Sequence, residues 1–286
     1  MARAAFSISL SNARTGATWV VCATALGVVL ASCTPAASAS ADRQGAWRAS
    51  ASDGYRLGRL SVRVGAASPK NDSSATARTG RIRVDAGSST RGGLIIVPAS
   101  YDRAQPLPLL LLLHGAGGSA ERITTLLAPA LDSARMIVVV PDSRGVTWDF
   151  IRGPFGPDIA FIDSLLHDVV ARYRVDSSRV MVAGFSDGAS YALSLGLSNG
   201  DLFSRVVAFS PGMAGVVAAH GRPALFVSHG TRDPILSFEH TSDRIVPQLH
   251  AAGYDVTFRE FDGTHTVSPA IAREAVRWLL SSGAAR

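Results

Sequence analysis

In the stretch Gly184-Phe185-Ser186-Asp187-Gly188 a serine stands between two glycines, at the junction of a β-rich run and a helix-like run. A hydroxyl in such a G-x-S-x-G turn is a nucleophile that needs a base. The turn is strained, and a side chain at 184 or 188 would collide with the strand or the helix start, so both positions require glycine. The hydroxyl is thereby held out at the sheet edge. The helix N-terminus behind it favours negative charge.

A serine base must itself be oriented by an acid, and in this arrangement the chain order is serine, acid, histidine. His265 closes Phe261-Asp262-Gly263-Thr264-His265, and Asp233 closes His229-Gly230-Thr231-Arg232-Asp233. Both follow strand-like runs, and both come after Ser186 in the required order. Asp262 is a rival acid, but three residues from His265 on the same loop it would reach the imidazole awkwardly. His167, His240 and His250 fall on helix-like runs and His220 in a loop. His229 ends a strand and reads as a support for the acid loop. Two backbone N–H groups must also converge on the developing oxyanion. One is expected from Asp187. The other is expected from Ala116 in His114-Gly115-Ala116-Gly117-Gly118, with Gly117 as the alternative and His114 as a scaffold for that loop.

These residues need a frame, and the chain supplies an alternating one. Arg81–Val84 and Gly92–Val97 read as a short antiparallel pair. Leu107–Leu113 is aliphatic throughout and too short for an ordinary helix, which predicts a strand buried on both faces. After it come helix Ala120–Ser133, strand Met136–Val140, helix Asp158–Tyr173, strand Arg179–Phe185, helix Gly188–Leu197 and strands Arg205–Phe209 and Ala224–Ser228. Helix Phe238–Ala252, strand Asp255–Phe261 and helix Pro269–Leu280 complete the series. Strands alternating with helices predict an α/β fold: a mostly parallel sheet with helices on both faces, and catalytic groups on loops at the carboxyl ends of strands.

The composition agrees with a packed body. Hydrophobic residues are 47% and charged residues 17% of 286, which excludes a disordered chain. The net charge of +6 comes almost wholly from scattered arginines, Lys70 being the only lysine, and no basic run suggests a nucleic-acid partner. Neither a P-loop nor a dinucleotide fingerprint occurs, and no metal cluster stands out, so no cofactor and no metal are expected. The two cysteines, Cys22 and Cys33, precede the folded body and offer it no disulfide framework.

The first residues read as an address. Arg3 and Arg14 precede an apolar run from Thr18 to Leu30, with no acid before Asp42. That run suits an export signal and is short for a membrane span. Leu30-Ala31-Ser32-Cys33 resembles the bacterial lipobox, which implies cleavage after residue 32 and lipidation of Cys33. An ordinary signal cleaved nearer Ala37 or Ala39 is the alternative. The expected organisation is therefore a signal peptide over 1–32, an Ala/Ser-rich tether over 33–54 and a catalytic domain over 55–286, held at the cell envelope by a membrane anchor at Cys33.

From about Gly92 to Leu280 the chain resembles the α/β-hydrolases of the phospholipase/carboxylesterase type, close to the dienelactone-hydrolase and polyhydroxybutyrate-depolymerase-like esterases. The resemblance is carried by His114–Gly118, Pro141–Gly145, Tyr173–Val180, Gly184–Gly188, His229–Asp233 and Asp262–His265. It implies a serine hydrolase of esters or thioesters with Ser186, Asp233 and His265 as its triad. Two departures stand out: Ser237 replaces a proline common beyond the acid, and the nucleophile is serine where true dienelactone hydrolases have cysteine.

Only the 14 residues Ser210–Pro223 separate two strands between which many such enzymes insert a lid. No large lid domain is expected. The longer segment Asp142–Pro157 carries Trp148, Phe150 and Phe155, expected to wall the substrate pocket or, alternatively, to cover the sheet edge. The site then suits a small-molecule ester or the end of a polymer. A serine peptidase and a catalytically silent binding protein are the competing functions. Fold alone does not choose among them.

Overall fold

Every residue of the run Leu107–Leu113 is buried, and its side chains alternate between two cores. Leu109, Leu111 and Leu113 enter one, Leu110 and Leu112 the other. This strand, β3, lies inside the sheet and is covered on both faces, which is why it has no polar side. The computed structural model describes residues 54–65, 77–86, 89–132 and 134–281. The signal and most of the tether expected from the sequence lie outside them.

Around β3 runs an eight-stranded sheet in the order β1-β2-β4-β3-β5-β6-β7-β8. Its other members are β1 (Gly80–Ala86), β2 (Ser89–Val97), β4 (Ile137–Pro141), β5 (Val175–Phe185), β6 (Arg205–Phe209), β7 (Ala224–Gly230) and β8 (Val256–Phe261). β1, β2 and β4 pair antiparallel, and all pairings from β4 to β8 are parallel. Helices α1 (Ala120–Leu131) and α7 (Pro269–Leu280) cover one face through Ile123, Leu127, Ile271 and Leu279. On the other face lie α3 (Pro157–Arg172) and α4 (Asp187–Ser198), with Ile159, Ile162, Tyr191 and Leu195 inward. This is the expected α/β architecture, and no large insertion lies between β6 and β7.

Two elements differ from expectation. Phe238–Ala252 is not one helix but α5 (Phe238–His240), a π turn (Thr241–Ile245) and α6 (Val246–Ala251). Pro247 is the reason: it has no N–H for the ladder and its ring crowds the carbonyl four residues back. The backbone widens there, and Val246 N–H reaches Thr241 O. β5 begins at Val175, earlier than expected, because Asp176–Arg179 form an excursion opposite Pro108, another residue with no N–H to donate. Asp176 closes that excursion by accepting from Ser178 and Arg179.

Residues 54–65 pack onto the body. Leu60 and Val62 are buried in the α3/α4 core. The buried Asp163 of α3 accepts from the N–H groups of Ser61 and Val62 and from Tyr55 Oη, and this burial beside a carboxylate pushes the Tyr55 phenol up to about 12. Farther along, Arg59 makes a two-pronged bond to Asp201 at 2.7 and 2.8 Å, and Asn199 bonds both Leu60 N–H and Gly58 O at the end of α4.

Residues 142–157, which contain the short helix α2 (Asp149–Arg152), are held by two carboxylates that cap each other's backbone. Asp158 accepts from Arg144 and Asp149 N–H, and Asp149 accepts from Gly156 and Asp158 N–H. Burial pushes the Asp158 carboxyl up to about 6, helped by the neighbouring Asp149 and opposed by the two N–H donors and Arg144. A carboxyl raised in the folded state binds its proton more tightly there than in the unfolded chain. Its contribution to stability is therefore complete below pH ~4 and disappears as pH climbs through about 6, a change on the order of 3 kcal/mol. Urea titrations at pH 4, 5, 6 and 7.5 should show Asp158→Asn gaining stability relative to the parent by about that amount across the series. A difference that stays flat with pH refutes the raised carboxyl.

Candidate active site

β5 ends at Phe185 and α4 starts at Asp187, so Ser186 alone makes the turn, with φ 58° and ψ −124°. Few non-glycine residues tolerate that conformation. The surroundings leave no choice. A Cβ on Gly184 would enter the Gly188 carbonyl, and one on Gly188 would enter the carbonyls of Leu113 and His114. Gly115 lies as close on the other side: a Cβ there would sit 3.1 Å from Ser186 Cβ. The loop after β3 and the turn after β5 are thus packed backbone to backbone. Ser186 N–H donates to Phe209 O at 2.9 Å, which ties the turn to the end of β6.

The loops after β7 and β8 meet in the same way. Pairing of Gly230 with Phe261 continues beyond the strands, where Thr231 N–H donates to Phe261 O and Arg232 N–H to Gly263 O. Asp233 and His265 are therefore brought together from 32 residues apart. His265 Nδ1 lies 2.6 Å from Asp233 Oδ2, and His265 Nε2 lies 2.9 Å from Ser186 Oγ. Phe185 packs its ring against the imidazole with centroids 4.9 Å apart. The rival acid is elsewhere: the Asp262 side chain is 81% exposed and pairs with Arg232.

Asp233 is sealed from solvent and surrounded by N–H donors. Its Oδ1 accepts from Ile235 and Leu236 N–H, while Oδ2 faces His265 and, at 3.1 Å, His229 Nε2. Burial pushes this carboxyl up, but the backbone donors and His265 outweigh it and hold it below the usual carboxylate range. Burial pushes the His229 imidazole down, so it stays neutral. Its Nε2 reaches Leu236 O at 2.9 Å as well as Asp233, and its Nδ1 has no partner among the described residues. His229 supports the acid loop, as its position suggested. Ser237, the departure from the family proline, caps α5 by accepting from His240 N–H.

On the opposite side, His114 is buried and pushed down by burial. Its Nε2 accepts from Ser143 N–H at 3.0 Å, so Nδ1 carries the proton and donates to Gly115 O at 2.7 Å. Gly117 N–H is spent on Val146 O at 2.7 Å, which removes it as an oxyanion donor. The N–H groups of Ala116 and Asp187 have no protein acceptor among the described residues.

The aromatic wall is corrected by the structure. Trp148 is 0% exposed and Phe155 2%, packed with Tyr191 in the α3/α4 core. Burial needs the indole N–H satisfied, and His114 O accepts it at 2.8 Å. Phe150 is half-buried, stacked on Phe155 with centroids 4.0 Å apart. Exposed apolar side chains on the loops tied to the site include Val146, 64% exposed, and Ile235, 68% exposed.

A carboxylate, an imidazole and a hydroxyl in series, beside two unpaired N–H groups at the carboxyl ends of interior strands β3 and β5, form an arrangement for acyl transfer. Residues 86–244 match the family model Esterase, described as "Putative esterase". The chain belongs to this esterase family. Among curated relatives it is 26% identical over 177 residues to feruloyl esterase D of Neurospora crassa, covering 57% of this chain and 60% of that one. With feruloyl esterase C of Emericella nidulans it shares 28% over 153 residues, 50% of this chain and 55% of the other. The chain thus spans little more than half the length of these relatives. Among solved structures, the Bacillus cereus carboxylesterase superposes with a TM-score of 0.52 at 22% identity, over 68% of this chain and 95% of that one. The ferulic acid esterase of Anaeromyces mucronatus gives 0.51 at 19%, over 76% and 95%. These structures share the α/β-hydrolase fold.

The geometry separates the two candidate acids. The rate at which a fluorophosphonate labels the protein should fall roughly 10³–10⁴-fold in Asp233→Asn. Asp262→Asn breaks only an exposed ion pair and should change labelling by less than about twofold. A larger loss in the Asp262 variant would overturn the assignment of the acid.

Proposed function

We propose that the protein is a serine carboxylesterase that works through an acyl-enzyme on Ser186. The observation that carries this reading is the unbroken chain from Asp233 through His265 to Ser186 Oγ at 2.6 and 2.9 Å. Ser186 Oγ attacks the ester carbonyl carbon while His265 Nε2 takes its proton. The oxyanion sits against Ala116 and Asp187 N–H. On collapse the C–O bond to the alcohol breaks, and His265 returns the proton to the leaving oxygen. Water then enters, loses a proton to His265 and attacks the acyl carbon, and the proton passes to Ser186 as the acid leaves. Asp233 stays ionised throughout, fixing the imidazole and stabilising its charged form.

What surrounds the serine supports a narrower substrate class. No lid lies between β6 and β7, and the exposed apolar side chains on the neighbouring loops include Val146 and Ile235, neither of them aromatic. An open rim of that kind grips a short acyl group or a flat aromatic one, and leaves the far methylenes of a long chain in water, where they add no transition-state binding. Relatives named feruloyl esterases favour the aromatic acyl group, a hydroxycinnamate on a small alcohol or on the end of a polymer. We place the working protein outside the cytoplasm, carried there by residues 1–32 and held to a membrane by lipid on Cys33. No helix among the described residues is long and apolar enough to cross a membrane, and a lipid anchor needs none.

Two measurements test this. Across p-nitrophenyl esters from acetate to palmitate without micelles, kcat/KM should peak at about two to six carbons, with methyl ferulate also cleaved, and Ser186→Ala should lose all turnover while remaining folded. Efficiency still rising at decanoate, or turnover surviving in Ser186→Ala, refutes the reading. For the anchor, Cys33→Ser should abolish metabolic labelling with palmitate and release the protein from the membrane fraction; unchanged labelling excludes Cys33 as the site.

A further inference from the structure

The segment Ser143–Trp148 touches both halves of the oxyanion hole. Toward the loop after β3 it donates Ser143 N–H to His114 Nε2 and Trp148 Nε1–H to His114 O, and it accepts Gly117 N–H at Val146 O. Toward α4 it donates once, from Thr147 Oγ1 to Asp187 Oδ2 at 2.6 Å. Thr147 is nearly buried, and its partner is the residue whose own N–H points to the oxyanion. A carboxylate in that place is an electrostatic fault. It sets a negative charge within one residue of the spot where a second negative charge must grow. A short hydrogen bond from a buried hydroxyl both draws charge from the carboxylate and fixes its direction.

We infer that Thr147 is a positioning residue of the oxyanion hole, holding the Asp187 carboxylate in place while the adjoining Val146 carbonyl holds the loop that carries Ala116. The inference rests on Ser186 being the nucleophile. Its chemistry is specific to the transition state, because the carbonyl oxygen becomes an oxyanion only there. Removing the Thr147 hydroxyl should therefore act on kcat and spare KM. It should also act only through the carboxylate, so the two residues must be coupled.

The test is a double-mutant cycle of Thr147→Val and Asp187→Ala on p-nitrophenyl acetate, with Thr147→Ser as the conservative variant. Inhibition by phenylboronic acid, whose tetrahedral adduct on serine mimics the intermediate, is measured in parallel. Thr147→Val should lower kcat about tenfold with KM within about twofold, and weaken the boronate by a matching factor. Thr147→Ser should restore both. In the Asp187→Ala background Thr147→Val should cost less than about twofold. Should Thr147→Val not fold, Thr147→Ala takes its place with the same expectations. An undiminished loss in the Asp187→Ala background, a loss shared equally by KM, or no loss at all overturns the inference while Ser186→Ala remains inactive. Turnover in Ser186→Ala would overturn the nucleophile and this inference together.

Discussion

No Cβ fits at position 188, because the carbonyls of Leu113 and His114 already fill the space. That contact of bare backbone against bare backbone is what the rest of the site depends on. It brings the loop after β3 against the first turn of α4 and leaves Ser186 as a one-residue connection at positive φ. A residue so placed would relax if its neighbours permitted. Gly184, Gly115 and the bond from Ser186 N–H to Phe209 O prevent it. The sheet supplies the rigidity, since Leu113 pairs with Gly184 and Phe185 with Phe209 in adjacent parallel strands. Strain at the serine is thus sustained by contacts among strands that are buried on both faces.

The acid arm is built on a different logic, saturation. Three N–H donors bond the two oxygens of Asp233, from Ile235, Leu236 and His265, and His229 Nε2 lies 3.1 Å from Oδ2 while it bonds Leu236 O. Two of them come from its own turn, an Asx-type closure that the chain makes locally. One histidine faces Ser186 and the other faces the core. The buried one is neutral and contributes a dipole without a charge, which lets the carboxylate reserve its full attraction for His265. Asp149 and Asp158 show the contrast. They too accept backbone N–H groups, but with no imidazole to offset burial both are pushed up.

Local rules made much of this legible in the sequence. The seven-residue run of β3, the glycines of the turn and the positions of Asp233 and His265 after their strands all follow from spacing and from what a side chain would strike. What escaped was set by partners far along the chain. Trp148 read as a pocket wall because an aromatic beside an insertion usually has somewhere exposed to go. Its burial depends on Tyr191 and on the ring and carbonyl of His114, neither of which is near it in sequence. The pairing of Thr147 with Asp187 spans 40 residues and leaves no pattern at either end. Pro247 marks the break in Phe238–Ala252, but a proline is also tolerated in a helix's first turn, so the residue alone does not say where one helix stops and the next begins.

The way residues 54–65 join the body has a mechanical consequence. α4 begins just after Ser186 and runs to Ser198, and its 12 residues carry it about 18 Å away. Arg59 and Leu60 are fastened there, to Asp201 and Asn199. The described chain therefore joins the body about one helix length from the turn that carries Ser186, and a pull on residue 54 is resisted by these bonds at the far end of α4 before it reaches that turn.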